Sequence, residues 1–389
     1  MAYIGTMKTL LDTVPPEKTC ALHIDLGAIQ SNYKMLCGFV KPGTKVSAVL
    51  KADAYGLGQD QVGDALYQVG CRDFFFAYVF EAIQARSFHD QNNQNDIDIY
   101  VFNGVLEGTE SLFVDHNLIP CLISLDQAKR WATYGKKIGK VLPCLLHIDT
   151  GMGREGLTLE ELKEFVDSPD LFQSLEIKYV MSHMANSNNS GAEKNKLQLQ
   201  RFLEAKALLP NAKASLATFS NSSGMALGHS YQFDLVRPGM ALYGYKNETY
   251  STLLELKPCL HAYARILLTR SIPKGETLGY NCTYTCKRDT RVALVAVGHR
   301  DGILRAASNK GYVLINGQKA PIIGTVSMDV LMADITDQPP ESVKSQDWAE
   351  LYGDITSTRD FAENEGTSVY ELLVRHGSRY HRVYTNENS

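Results

Sequence analysis

Lys51 is the residue of this sequence whose position best suits a chemical role, because it ends a short apolar run and precedes a turn of small residues. The run Val46–Leu50 is typical of a buried β-strand, and Gly56 and Gly58 allow a tight turn after it. Burial disfavours the charged form of an amine, and a lysine with a lowered pKa is a nucleophile that forms Schiff bases with aldehydes. A lysine that extends from a strand end into water would give the same local pattern.

Four more polar clusters follow predicted strands, at His147–Gly156, Ser182–His183, Ser220–Ser223 and Arg237–Gly244. Each cluster alone also fits an ordinary structural role, such as a satisfied histidine, a helix start or a turn. A phosphate needs backbone N–H groups and hydroxyls, which Tyr55, Ser222, Gly239 and Met240 can supply. An arginine, which is always charged, would keep a pyridine nitrogen unprotonated. Together the clusters favour one cofactor site.

The hydrophobic pattern predicts the elements that position these clusters. Eight strand candidates are residues 46–50, 73–78, 97–102, 118–123, 142–148, 177–181, 214–219 and 233–236. Capping boxes at Ser124–Gln127 and Thr158–Glu161 start helices between them, and leucine spacing predicts another helix over Ala192–Leu209. The alternation predicts a (β/α)8 barrel, whose active site forms at the C-terminal ends of the strands. A doubly wound sheet is the alternative, but no G-x-G-x-x-G turn follows the first strand.

After Thr252–Pro258 the pattern changes to short strands joined by turns. Strands are predicted at residues 260–268, 291–297, 311–315, 318–324 and 330–335. Asn316-Gly317 between two of them is a strong hairpin signal, and a helix is predicted over Ser368–Val374. We therefore expect two domains, a barrel over residues 1–252 and a mostly β domain over residues 253–389.

The composition excludes several classes of protein. The 389 residues are 44% hydrophobic and 21% charged, with a net charge of −4 and a pI near 6.2. These values predict no nucleic-acid partner, and the sequence shows neither a membrane span nor a signal peptide. The eight cysteines lack paired spacing, and Cys282 with Cys286 lacks the partners of a zinc site, so no metal is expected. A reducing cytoplasm is the expected location.

The stretch Ala48–Gly58 resembles the lysine motif that binds pyridoxal phosphate in the alanine racemase family. The resemblance extends over most of the chain, through motifs at 149–154, His183, 221–222, 237–244, 275–280, 324–329, 368–371 and 379–384. It implies the same barrel followed by a C-terminal β domain that contributes to the active site of the partner subunit.

The resemblance also implies roles for single residues. Lys51 would hold pyridoxal phosphate and act as the base for the D substrate. Tyr280, from the partner subunit, would be the base for the L substrate. Arg154 and the backbone of Met328 would hold the substrate carboxylate.

The cofactor-binding residues follow from the same resemblance. Arg237 would face the pyridine nitrogen, braced by His183. The other cofactor-binding residues that it implies are Tyr55, Asn221, Ser222, Gly239, Met240 and Tyr370. Two bases on opposite faces of the substrate would remove the Cα proton and return it inverted.

Four positions depart from the family pattern. Asp53 and Leu57 replace the usual asparagine and histidine of the lysine motif. His147 stands where the family often has a carbamylated lysine, so Arg154 must be positioned in another way, for example by a chloride or a neighbouring side chain. His299 replaces a tyrosine that lines the substrate entrance in relatives.

The expected function is racemisation of alanine by a head-to-tail homodimer that supplies D-alanine for peptidoglycan. A broad-specificity amino-acid racemase is the first alternative. A decarboxylase on a related barrel would want an acidic residue at the position of Arg237. A non-enzymatic cofactor carrier or an inactive paralogue is the remaining alternative, although a carrier would resemble the barrel alone.

Overall fold

A computed structural model of the chain describes residues 10–210, 216–245, 249–250, 253–353 and 358–386. They form two compact units. The barrel unit comprises the described part of Ala28–Ala54 and Gly58–Lys257, and the β unit comprises that of Met1–Gly27, Tyr55–Leu57 and Pro258–Ser389. The first strand, β1 (Cys20–Asp25), lies in the β unit. The predicted domain boundary after residue 252 falls outside the described residues and stays a prediction.

Parallel strands form one nearly closed sheet in the barrel unit. They are β2 (Lys45–Val46), β3 (Ala48–Val49), β4 (Asp73–Phe76), β5 (Asp98–Val101), β6 (Ile119–Leu122), β7 (Leu142–His147), β8 (Leu175–Met181), β9 (Ala217–Asn221) and β10 (Leu235–Arg237). From β3 to β10 each strand pairs with the next, while β2 pairs with β10. β2 and β3 are two halves of the first predicted strand, interrupted at Ser47, so the sheet closes on itself. The predicted barrel is confirmed; residues 214 and 215 of its seventh predicted strand lie outside the described residues.

Helices alternate with these strands. They are α1 (Leu26–Phe39), α2 (Gln59–Gln68), α3 (Val79–Gln91), α4 (Glu110–Asp115), α5 (Leu125–Ile138), α6 (Leu159–Val166), α7 (Pro169–Phe172) and α8 (Glu193–Leu208). The hydroxyls of Ser124 and Thr158 accept backbone N–H bonds at the starts of α5 and α6. The capping box is complete at α6, whereas at α5 the Gln127 side chain accepts the N–H of Ile123 instead of that of Ser124. Helix α8 is present, but its buried face is not the one that the leucine spacing predicts. Leu197 and Leu203 are exposed, whereas the amide side chain of Gln198 is buried.

The β unit is built mainly from one antiparallel sheet. Its further elements are β11 (Leu260–Ile272), β12 (Thr277–Leu278), β13 (Tyr284–Thr285), β14 (Thr290–Val295), β15 (Tyr312–Ile315), β16 (Gln318–Pro321), β17 (Leu331–Asp334), β18 (Trp348–Tyr352), β19 (Tyr380–Thr385), α9 (Thr358–Asn364) and α10 (Val369–Val374). Strand β1 pairs antiparallel with β11 and parallel with β19. The separate C-terminal β domain is therefore confirmed as a fold, and the N-terminal strand is an unpredicted part of its sheet.

Two general properties complete the fold. All eight cysteines lie within the described residues and all are free thiols. Across the same residues, no helix is both long enough and apolar enough to cross a membrane.

Aromatic stacking fills part of the barrel interior. The Phe75 ring lies 4.5 Å from the Tyr100 ring and 4.9 Å from the Phe102 ring, centroid to centroid, and Phe75 is fully buried. Phe80, five residues later, is 67% exposed. The two phenylalanines therefore offer a matched test of barrel packing.

We expect Phe75→Ala to lower the free energy of unfolding by about 3–5 kcal/mol, because it removes a buried ring and leaves a cavity. Phe80→Ala should change the same quantity by less than about 0.5 kcal/mol, since that ring already contacts water. Urea unfolding followed by circular dichroism measures both. Equal losses in the two variants would contradict this packing.

Candidate active site at the barrel mouth

Lys51 follows the end of β3 and opens a turn of left-handed backbone. Leu50, just before it, donates its N–H to the carbonyl of Phe75 on the neighbouring strand, at 2.8 Å. The four residues Ala52–Tyr55 all have φ between 53° and 57°, and none is a glycine. Left-handed backbone costs roughly 1–2 kcal/mol for each such residue. The turn of small residues was predicted from the sequence, but its handedness was not.

The surroundings of the Lys51 amine lower its pKa. Desolvation is the largest cause, and the positive charge of Arg154 adds to it, while the carboxylates of Glu155 and Glu81 act in the opposite direction. The amine lies 5.9 Å from the centroid of the Phe102 ring, and part of the side chain remains open to solvent. The Lys51 amine is therefore accessible to a small molecule and loses its proton more readily than a lysine in water.

Arg237, at the end of β10, is a buried cation that is only 2% exposed. Its guanidinium donates to the Thr218 hydroxyl at 2.5 Å and to the carbonyls of Ser182 and Phe219 at 2.7 and 3.4 Å. Burial lowers its pKa to about 10, so it stays charged at neutral pH. Among the described residues, its Nε has no hydrogen-bond partner. A buried donor without an acceptor costs free energy unless a ligand satisfies it.

Two histidines near Arg237 are held neutral. Burial, then the charges of Arg237 and Arg154, lower the pKa of His147 to about 3. The same causes in the same order lower the pKa of His183 well below its ordinary value. The Arg237 guanidinium donates to the three neutral acceptors above. The backbone carbonyl of His183 accepts a bond from the Gln198 side chain at 3.0 Å.

Ser222 follows β9 and lies against the turn after β10. Its hydroxyl accepts the N–H groups of Gly239 at 3.0 Å and Ala241 at 3.3 Å. The neighbouring Asn221 side chain accepts from Ser187 and from the Gly224 N–H, so its oxygen organises the loop. A hydroxyl beside backbone N–H groups at strand ends is a suitable environment for a phosphate.

Arg154 is presented by a loop that Asp149 holds after β7. One carboxylate oxygen of Asp149 accepts the N–H groups of three successive residues, Gly151–Gly153. Arg154 is 55% exposed and forms an ion pair with Glu155 at 3.2 Å. The counter-charge beside Arg154 is therefore a neighbouring carboxylate.

The remaining predicted residues lie in the β unit. Tyr280 is 71% exposed on a short 3₁₀ turn, and Thr325 donates its hydroxyl to the Tyr280 carbonyl at 2.9 Å. Met328 is 57% exposed, and its carbonyl accepts the N–H of Arg300 at 3.0 Å. A cavity of about 470 Å³ is lined in part by Tyr280 and Thr325.

Arg379 supports the loop that carries Met328. Its guanidinium donates to both carboxylate oxygens of the buried Asp301 and to Asp329.

Tyr55 and Tyr370 also lie in the β unit, with ring centroids 6.4 Å apart. Burial raises the pKa of Tyr55 above its ordinary value, so its hydroxyl keeps its proton as a hydrogen-bond donor.

The structure thus divides the predicted residues between the two units. The ends of the barrel strands hold Lys51, Arg154, His183, Asn221, Ser222, Arg237, Gly239 and Met240, whereas the β unit holds Tyr55, Tyr280, Met328 and Tyr370. Because parallel barrel strands end at one mouth, the first group lies at the same end of the barrel.

Gln198 is a supporting residue that the sequence did not indicate. It is fully buried on α8 and donates to the Thr150 hydroxyl at 3.2 Å and to the His183 carbonyl at 3.0 Å, while it accepts the Ala185 N–H at 2.8 Å. It therefore joins the loops after β7 and β8. A glutamine within a helix usually indicates a solvated face, so the residue type did not indicate that Gln198 is buried.

Family models match nearly the whole chain. The model described as "Alanine racemase, N-terminal domain" matches residues 24–247, and "Alanine racemase, C-terminal domain" matches residues 259–384. The chain belongs to the alanine racemase family. The expected family, and with it the expected class of amino-acid racemase, is confirmed.

Individual relatives agree. The alanine racemase of Brucella ovis is 39% identical, with 94% of each chain covered, and that of Rickettsia canadensis is 38% identical, with 94% of this chain and 99% of the relative covered. A crystal structure of the alanine racemase of Bartonella henselae, with covalently bound pyridoxal phosphate, aligns with a TM-score of 0.88 at 36% identity, over 94% of this chain and 99% of that one.

The effect of the Glu155 charge on the pKa of Lys51 can be tested by substitution. Glu155→Gln removes a carboxylate that raises the pKa of Lys51, so that pKa should fall further below its ordinary value. In cofactor-free protein, labelling of Lys51 by an amine-reactive reagent across a pH series should then have a midpoint at lower pH, as read by mass spectrometry.

Glu160→Gln is the matched control, because it removes the same charge from an exposed position on α6. Its midpoint should equal that of the parent protein. A Glu155→Gln midpoint that also equals the parent value would show that the Glu155 carboxylate does not act on Lys51.

Proposed function

We propose that this chain interconverts L-alanine and D-alanine with pyridoxal 5'-phosphate bound at the barrel mouth. One juxtaposition carries the proposal: Lys51, whose pKa is lowered, follows β3, and the buried Arg237, whose Nε has no partner among the described residues, ends β10 of the same barrel. The first is suited to an aldehyde and the second to a ring nitrogen that receives no proton.

The residues present fit this cofactor. Lys51 would hold its aldehyde carbon, and Arg237 would face its ring nitrogen. The Ser222 hydroxyl and the turn at Gly239 and Met240 would hold its phosphate, with the Tyr55 and Tyr370 hydroxyls and the neighbouring Asn221. When bound, the cofactor supplies a conjugated ring that makes the proton on the substrate Cα acidic.

The protein's own groups then determine the outcome. Arg237 has a pKa of about 10 and so provides a fixed charge rather than a proton for the ring nitrogen. Lys51, whose pKa is lowered, can accept the Cα proton and return it on one face. Tyr280 would serve the opposite face, which inverts the configuration. Arg154, with the N–H of Met328, would hold the substrate carboxylate.

We further propose a head-to-tail homodimer in which Tyr280 and Met328 come from the β unit of the partner subunit. High exposure of both side chains, 71% and 57%, supports a role at a surface that a second copy covers. The product, D-alanine, would serve peptidoglycan synthesis in the cytoplasm, for which the eight free thiols are a supporting observation.

Loss of optical activity of L-alanine, measured with purified protein and added pyridoxal phosphate, tests the proposal. We expect decay to zero with the parent protein. Lys51→Ala should give no decay and no visible absorption band of bound cofactor. Lys178→Ala, which removes a lysine paired with Asp98 on another strand, should behave as the parent protein does.

Other outcomes would identify the alternatives. A parent protein that binds the cofactor but leaves L-alanine unchanged would contradict the proposal and favour a carrier or an inactive paralogue. Equal rates with L-serine and L-lysine would indicate a racemase of broad specificity.

A further inference from the structure

We propose that Glu81 is a positioning residue: its carboxylate joins the ends of two barrel strands and holds the left-handed turn that aims Lys51. Its effect on catalysis rests on the proposed function, but its effect on the turn does not. Glu81 is 8% exposed and lies in the first turn of α3, which follows β4.

Both oxygens of the Glu81 carboxylate accept backbone N–H bonds. Oε1 accepts from Ala52, the residue after Lys51, at 2.8 Å. Oε2 accepts from Ala77 at 2.9 Å and from Tyr78 at 3.2 Å, at the end of the neighbouring strand. Hydrogen bonds to a charged acceptor are among the strongest in proteins, and burial strengthens them further.

The backbone of Glu81 adds a second link. Its carbonyl accepts a bond from the side chain of Gln59 at 3.1 Å, and Gln59 begins α2 directly after the turn. Glu81 therefore holds the turn from both sides, through Ala52 at its start and Gln59 at its end.

The strain of the turn explains why such a clamp is needed. Ala52 and the next three residues adopt a backbone that only glycine enters freely, so the turn persists only if surrounding contacts determine it. Inside the turn, Ala54 donates to Leu50 at 2.7 Å and Gly58 donates to Asp53 at 2.9 Å. These two bonds report on the whole turn and do not involve Glu81 itself.

Glu161 shows what an ordinary capping glutamate does. It occupies the same position of α6, its carboxylate accepts the Thr158 N–H at 2.8 Å, and its own backbone N–H donates to the Thr158 hydroxyl at 3.2 Å. At Glu81 the residue before the helix is Tyr78 rather than serine or threonine, so the sequence showed no capping box there. Oε2 of Glu81 accepts the N–H of Tyr78 at the helix start, while Oε1 accepts the N–H of Ala52 after the neighbouring strand.

Substitution by glutamine separates the two roles. An amide has one oxygen, so Glu81→Gln cannot accept bonds from both Ala52 and the Ala77–Tyr78 pair. Glu161→Gln is the matched control for loss of charge at the capping position, because the amide oxygen can still accept the Thr158 N–H. Hydrogen–deuterium exchange of the holoenzyme, read at the Ala54 and Gly58 amides, measures the turn.

We expect Glu81→Gln to speed exchange at Ala54 and Gly58 by about tenfold and to lower kcat/KM for alanine by a similar factor, the size expected for one lost charge-assisted bond. Glu161→Gln should change neither. Unchanged exchange at these amides in Glu81→Gln, or the same change in both variants, would overturn the proposal.

Ala52→Gly supplies a second, independent comparison. Glycine adopts the left-handed backbone without penalty, so the effect of Glu81→Gln on exchange and on kcat/KM should be smaller in the Ala52→Gly background. An undiminished effect would contradict action through the turn. If the parent protein does not racemise alanine, the exchange results still test the role of Glu81, and only the proposed function fails.

Discussion

A buried positive charge, which has no carboxylate partner among the described residues, is the constraint around which the barrel mouth is built. Arg237 is held by the Thr218 hydroxyl and by two backbone carbonyls. An ion removed from water costs several kcal/mol unless strong contacts replace its hydration. Here these contacts are dipoles of β9 and of Ser182, directly after β8, so the charge is fixed in place by the barrel sheet itself.

The same charge determines the state of its neighbours. It contributes to lowering the pKa values of His147 and His183, which stay neutral at pH 7. Because these pKa values are lowered on folding, the unfolded chain binds protons first as the pH falls below about 6.5, and stability is lost from there downward. The mouth thus carries positive charge on arginines and lysine, and the carboxylates of Glu155, Glu81 and Asp149 oppose it.

The sequence predicted features that depend on nearby residues. Apolar runs and capping boxes located the barrel strands and the starts of α5 and α6, because those signals are local. Strand β1 was not recognised, because its partners β11 and β19 lie hundreds of residues along the chain. Pairing between such distant segments leaves little trace in local composition.

The site shows the same distinction. Polar clusters after buried strands predicted the barrel residues, and the family resemblance implied Tyr280, Met328 and Tyr370. That Tyr55 groups with the β unit is visible only in the structure. The handedness of the turn after Lys51, and the buried roles of Glu81 and Gln198, depend on contacts between separate strands and helices. Glutamate and glutamine in helices usually lie on the surface, so their burial here could not be predicted.

The most direct test of the central claim is complementation between two inactive variants. Lys51→Ala and Tyr280→Phe subunits are mixed, allowed to exchange, and assayed for racemisation of alanine. If each site combines Lys51 of one subunit with Tyr280 of the other, every mixed dimer has one intact site, and about a quarter of the parent activity should return. No recovered activity, with exchange of subunits demonstrated, would contradict a site shared between subunits.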